Sequence, residues 1–196
     1  MELAVKFDFS DFLKKADELK AASDQVPYAL SRAINQAGED AQNVLIQQTW
    51  PRSVKVRNPS FMRAALRRVP STKHNLTFEI VDVLHRGSLK KHAIGGSKTA
   101  KSRFAIPVER NTPRGSHGVP QSQRPRALGR KGAFVIGNAI YTKVGKRLKL
   151  RYILKRSIFQ PKDVAFYEDF EISMRNGVRT AFPLWLKRAM QTRRIR

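Results

Sequence analysis

Residues 27–48 read PYALSRAINQAGEDAQNVLIQQ. Leu30, Ala33, Ile34, Ala37, Ala41, Val44, Leu45 and Gln48 recur at helical spacing, which puts one apolar stripe on one face of a helix. Pro27 suits the first turn, where its missing N–H is one of the unpaired donors anyway. Pro51 sets the expected end, because proline disfavours helical geometry in the residue ahead of it. The stripe is rich in alanine and Gly38 lies beside it. Small side chains let another helix cross closely, and the expected partner is either the first helix or a neighbouring subunit.

Working outward, a first helix is expected from Ser10 to Ala22. Phe9, Phe12, Leu13, Ala16 and Leu19 share its apolar side, and Ser10 can cap it. At the other end of the chain, Phe166, Phe170, Met174, Val178 and Phe182 recur every four residues from a start near Pro161 and Asp163. That pattern predicts a long C-terminal helix, weakened by Gly177 and kinked or interrupted at Pro183. Trp185 continues its apolar character. Ser60 to Val69 reads as a short basic helix.

Strands are expected between these helices. Leu76, Phe78 and Ile80 alternate with Thr77 and Glu79. Ala133 to Ile136 and Ala139 to Val144 flank a Gly137-Asn138 turn. Leu148 to Lys155 alternates after Gly145-Lys146. Together these predict one antiparallel meander of about four strands. The expected fold is α+β: a small antiparallel sheet packed by N-terminal helices and a long C-terminal helix, in a single domain over 1–196. Within it, 86–131 reads as an extended basic arm or insertion. That stretch is rich in glycine and proline, and only Phe104 to Val108 looks like a strand. A connection this long with little structure is usually functional.

Charge narrows the function classes. The chain has 39 Lys and Arg against 15 Asp and Glu, a formal net charge of +24. Residues 1–50 carry 5 basic and 8 acidic side chains, whereas 51–160 carry 26 and 3. The middle of the chain therefore faces something negative, either phosphate or an acidic protein surface. The basic residues expected to face it are Arg63, Arg67, Arg68, Lys90, Lys91, Lys98, Lys101, Arg103, Arg110, Arg114, Arg124, Arg126, Arg130 and Lys131. The absence of cysteine excludes disulfides and thiolate chemistry. No apolar stretch is long enough for a membrane span, and the N-terminus does not read as a signal peptide. No membrane partner is expected, and a cytoplasmic origin is.

Catalytic signals are weak. His74, His85, His92 and His117 have no ligand-like spacing, and no metal or cofactor is expected. Asp163, Glu168, Asp169 and Glu171 suit a helix start, although a two-metal nuclease could also use them. Gly95-Gly96-Ser97-Lys98-Thr99 resembles a phosphate loop but lacks its first glycine and its strand-to-helix context. The chain shows neither a helix-turn-helix nor the aromatic pattern of a single-strand binder.

The order of elements carries a resemblance. An amphipathic N-terminal helix is followed by Ala29-Leu30-Ser31-Arg32-Ala33-Ile34-Asn35-Gln36-Ala37. A basic middle then leads to Leu150-Arg151-Tyr152-Ile153-Leu154-Lys155-Arg156-Ser157-Ile158-Phe159-Gln160-Pro161. Phe166-Tyr167 and the long final helix complete the series. This resembles the phage minor tail protein Z, or tail-completion, family, loosely over most of the chain. The resemblance implies a non-enzymatic structural protein of the virion neck, assembled in the host cytoplasm. It would join head connector or adaptor protein to tail-tube or tail-terminator protein around the DNA channel. It also implies a homo-oligomeric ring, a hexamer being one size, and transient non-specific contact with genomic DNA. Ala33, Ala37, Ala41, Phe170, Met174, Val178, Phe182 and Trp185 would then pack between subunits. The alternative is a free, non-specific nucleic-acid-binding protein.

Overall fold

The structure, a computed structural model, describes residues 4–8 and 25–191. The helix expected over Ser10 to Ala22 and the basic tail after Gln191 lie outside the described residues. The chain folds as two compact units. One contains Met1–Val54, Ser60–Ile94 and Lys162–Arg196; the other contains Lys55–Pro59 and Gly95–Pro161.

The first unit starts with β1 (Ala4–Asp8) and α1 (Gln25–Val44), which a π-helical turn at Leu45–Thr49 joins to α2 (Trp50–Ser53). The helical path therefore runs past Pro51, where an end was expected. The π turn breaks the α ladder just ahead of the proline. The missing N–H and the bulky ring thus fall where the regular hydrogen bonding is already relaxed. Next come α3 (Phe61–Ala65), β2 (Leu66–Val69), β3 (Thr77–Asp82) and α4 (Leu89–Ile94). The basic helix predicted over Ser60 to Val69 stops at Ala65, because Leu66 to Val69 pair antiparallel with β3. A tertiary hydrogen-bonding partner outweighs local helix preference here. The three-stranded sheet has the order β1-β3-β2. Phe78 and Ile80 of β3 are buried, as their alternation predicts.

The second unit contains β4 (Gly96–Pro107), the short helix α5 (Pro125–Gly129), β5 (Phe134–Ile136), β6 (Ala139–Val144) and β7 (Arg147–Gln160). Its antiparallel sheet has the order β4-β7-β6-β5. Two expectations change. The strand around Phe78 belongs to the other sheet, so the single meander is two sheets. The segment 86–131, expected to hold one short strand, contains a 12-residue strand, two short α-helices and a 3-10 turn at Gln121–Gln123. Ser97, Lys98 and Thr99 pair with Phe159, Ile158 and Ser157. Because β7 is longer than its alternation suggested, its far end offers backbone partners to a stretch with no apolar pattern. The hairpin turns are as read. Gly137 (φ +58°) and Gly145 (φ +59°) take the left-handed conformation that two-residue hairpin turns need.

The chain then returns to the first unit as α6 (Phe166–Gln191), which crosses α1 closely. A Cβ on Gly177 would sit 2.7 Å from the Ala37 Cβ, and one on Gly38 would sit 2.2 Å from the Phe78 ring. Leu30, Ile34, Ala37, Ala41, Phe78, Phe170, Met174 and Val178 join in one buried cluster. The helix continues through Pro183 without a break. Pro183 and Arg179, whose carbonyl loses its helical partner, are both exposed residues. The architecture is α+β.

Candidate interaction face

In an antiparallel sheet, paired residues share a face and successive residues alternate between faces. One face of the four-stranded sheet is covered. Ile140 and Tyr152 pair, and both pack with Leu128, Ala105, Ala133 and Leu154. The Tyr152 hydroxyl donates to the Gln123 carbonyl at 2.8 Å, and burial pushes its pKa up.

The opposite face is open. Ile106 pairs with Ile153, Ile153 with Ala139, and Ala139 with Ile136. An apolar row thus crosses all four strands, with Ile153 40% and Ile136 54% exposed. Aromatic rings flank it. On one side Phe134 pairs with Tyr141, their centroids 6.5 Å apart and their planes 24° from parallel. On the other, Phe104 pairs with Lys155, and Lys98 Nζ lies 5.8 Å from the Phe104 ring centroid. Lys143, two residues beyond Tyr141, shares the face.

A bulge shapes this sheet. The register between β6 and β7 slips by one residue at Arg151. The carbonyl of Arg151 accepts from the Val108 N–H at 3.0 Å and from Thr112 Oγ1 at 3.3 Å. The Arg151 guanidinium donates to Thr142 Oγ1 at 3.1 Å and to the Asn111 carbonyl. The 108–112 turn therefore holds the bulge, which adds local twist.

The field over this unit has one sign. It carries 18 Lys and Arg against a single acid, Glu109. Glu109 is itself engaged by Arg57 at 2.8 Å, whose hydrogen bond holds its carboxyl below the usual range.

The basic residues singled out from sequence do not form one patch. Arg63 on α3, Arg67 and Arg68 on β2, and Lys90 and Lys91 on α4 belong to the first unit. Arg68 pairs with Glu39 at 2.8 Å. Lys98, Lys101 and Arg103 lie on β4, with Arg103 donating to Asn138 Oδ1 at 3.0 Å. Arg110, Arg114, Arg124, Arg126, Arg130 and Lys131 are exposed in the connections and short helices of the second unit. The face also contains Lys143, Lys155, Phe104, Phe134 and Tyr141, which sequence reading did not select. The period-2 alternation groups Ile153 with Lys155 on a basic outer face, but the register that joins three aromatics from three strands is not visible in one dimension.

The residues expected to pack between subunits have a different place. Ala33, Ala37, Ala41, Phe170, Met174 and Val178 are buried inside the chain. Phe182 is partly buried against the same core. Their apolar area is already covered by the α1–α6 crossing, so it is not a surface for a neighbour. Trp185 donates from Nε1 to Gln36 Oε1 at 2.8 Å. The Arg32 and Arg188 guanidinium carbons lie 4.7 and 5.0 Å from its ring centroid. It borders a cleft of about 520 Å³ that Arg32, Asn35, Glu39 and Arg68 also line.

The carboxylates of the C-terminal segment do not converge. Asp169 accepts from Thr49 Oγ1 at 2.7 Å and from Arg52 at 2.8 Å. Glu171 pairs with Arg175 at 2.6 Å, and Glu168 with Lys162, which holds the Glu168 carboxyl below its usual range. Asp163 meets His92 at 2.7 Å, beside Trp50. Among the described residues no three His, Asp or Glu gather as a metal site, and no helix is long and apolar enough to cross a membrane. The Gly95 to Thr99 stretch leads into a paired strand, which is not phosphate-loop geometry.

Comparison with known protein families, curated proteins and solved structures gives no match.

Proposed function

We propose that this chain is a structural assembly component, a tail-completion or neck protein joining head connector to tail tube around the DNA channel. The observation that carries the reading is the incompleteness of the four-stranded unit. Only Leu128, Ile140 and Tyr152 form its buried core. Val144 and Leu148, either side of the Gly145-Lys146 turn, remain 58% and 55% exposed, and Phe159 at the far end of β7 is 72% exposed. Large apolar side chains clustered at the ends of a strongly basic sheet mark contacts with other molecules. Dispersed, individually paired carboxylates support a structural role over a nuclease one.

Deleting 86–131 would remove β4, so point substitutions are the cleaner test. The Val144→Glu/Leu148→Glu double variant should keep its thermal midpoint within about 2 °C, since both sites are exposed. It should also reduce the yield of joined particles at least tenfold in a complementation assay. Full joining by a double variant with a normal midpoint would refute the contact. The second reading, a free nucleic-acid-binding protein, is favoured by the 18-to-1 charge ratio of the second unit.

A further inference from the structure

We infer that the open face of the four-stranded sheet binds single-stranded nucleic acid, with bases stacked on Phe104, Tyr141 and Phe134 and phosphates held by Lys143 and Lys155. This goes beyond passage of duplex DNA through a neck and does not depend on that role.

The inference begins with the three rings. They come from β4, β6 and β5, yet the register places them on one face. Phe134 is 38% exposed, and Phe104 and Tyr141 are each partly exposed. None belongs to either buried cluster. A ring that contributes to no core yet stands on an open sheet is available as a stacking platform. Phe134 and Tyr141 already lie nearly parallel, so together they offer a broad surface to a base.

Spacing supports the reading. Phe104 is opposite Lys155 and Tyr141 is opposite Leu150 on β7. Five residues along a strand and two strand widths across put the two rings about 18 Å apart. That span suits several nucleotides of an extended strand. The Ile106, Ile153, Ala139 and Ile136 row lies between them, where bases can cover it.

Charge selects the ligand class. A second copy of this unit would bring another 18 basic groups against one acid, which repels self-association through this face. An acidic protein would satisfy the charge, but it gives no reason for lysines at the ring positions. Lys155 pairs with Phe104, and Lys143 follows Tyr141 by two residues. Alternation of rings and cations matches a chain that alternates bases and phosphates. Duplex DNA presents phosphates but keeps its bases stacked inside, so it uses the lysines and not the rings.

The test uses the full chain and a fluorescein-labelled 15-mer of deoxythymidine, with a 15-base-pair duplex beside it, by anisotropy across a salt series. The 15-mer should bind at least tenfold tighter than the duplex. Phe104→Leu, Tyr141→Leu and Phe134→Leu should each weaken it roughly tenfold without changing the slope against log salt. Leucine keeps the site apolar while removing the ring, and circular dichroism checks the fold. Lys155→Gln should instead flatten the slope by nearly one charge. Two results overturn the inference. One is a triple leucine variant, folded, that binds the 15-mer as well as the unsubstituted protein, leaving charge alone. The other is no binding to either nucleic acid at low salt while polyglutamate binds and the lysine variant loses it, which assigns the surface to acidic protein.

Discussion

Replacing Gly38 with alanine should destabilise the first unit, against the usual sign. In a helix interior that change normally stabilises by about 1 kcal/mol, because glycine loses more backbone entropy on folding. Here the added methyl would stand 2.2, 2.4 and 2.5 Å from three carbons of the Phe78 ring. The nearest contact must open by more than an ångström to become ordinary. Phe78 is 1% exposed and its ring stacks with Phe170, centroids 6.4 Å apart, so the ring cannot move outward. Overpacking of a tight core costs about 1–3 kcal/mol, and this contact belongs at the upper end. After the propensity gain, the net loss is about 1–2 kcal/mol. Both tryptophans, Trp50 and Trp185, lie in the first unit. Tryptophan fluorescence during urea unfolding therefore reports that unit without mixing in the other. The midpoint should fall for Gly38→Ala, and Gly38→Ala/Phe78→Leu should recover part of the loss relative to Phe78→Leu alone. A Gly38→Ala protein as stable as the original would refute the close crossing of α1 over β3.

Two further perturbations address the second unit. Tyr152→Phe removes the hydrogen bond to Gln123 and should cost about 1 kcal/mol. Because burial raises the Tyr152 pKa above its ordinary 10.0, the stability it contributes is complete below pH 10. It declines as pH rises toward the folded-state value, while the unfolded chain ionises first. Hydrogen exchange of β7 amides should show that alkaline loss, and Tyr152→Phe should abolish it. Arg57→Ala should raise the Glu109 pKa toward its ordinary range, since the Arg57 hydrogen bond is the leading cause of its depression. Carbon-detected NMR titration checks this, and an unmoved Glu109 would contradict the Arg57–Glu109 pairing.

Much of the helical layer is legible in one dimension. Every-fourth spacing from Phe166 to Val178, and the Leu30 to Ala41 stripe, identify residues that are buried. Their partner is not legible. The stripe was expected to meet the first helix or a neighbouring subunit, and the Gly177–Ala37 approach puts the C-terminal helix against it. The hairpins around Gly137 and Gly145 were readable because left-handed turns need glycine. The strand at Gly96 to Thr99 was not, because its pairing is made by backbone and leaves no apolar alternation. Charge pointed to the basic middle, but charge alone does not say which cations share a face with aromatic rings. That information lies in the β4–β7–β6–β5 register.

The most direct test of the proposed assembly role is native mass spectrometry of the full chain across protein concentration and salt, with and without the connector and tail-tube proteins proposed as its partners. A defined oligomer, or a ring of fixed stoichiometry that forms with those proteins and is lost in Val144→Glu/Leu148→Glu, is the expected result. A monomer at every concentration that ignores both proteins would contradict it.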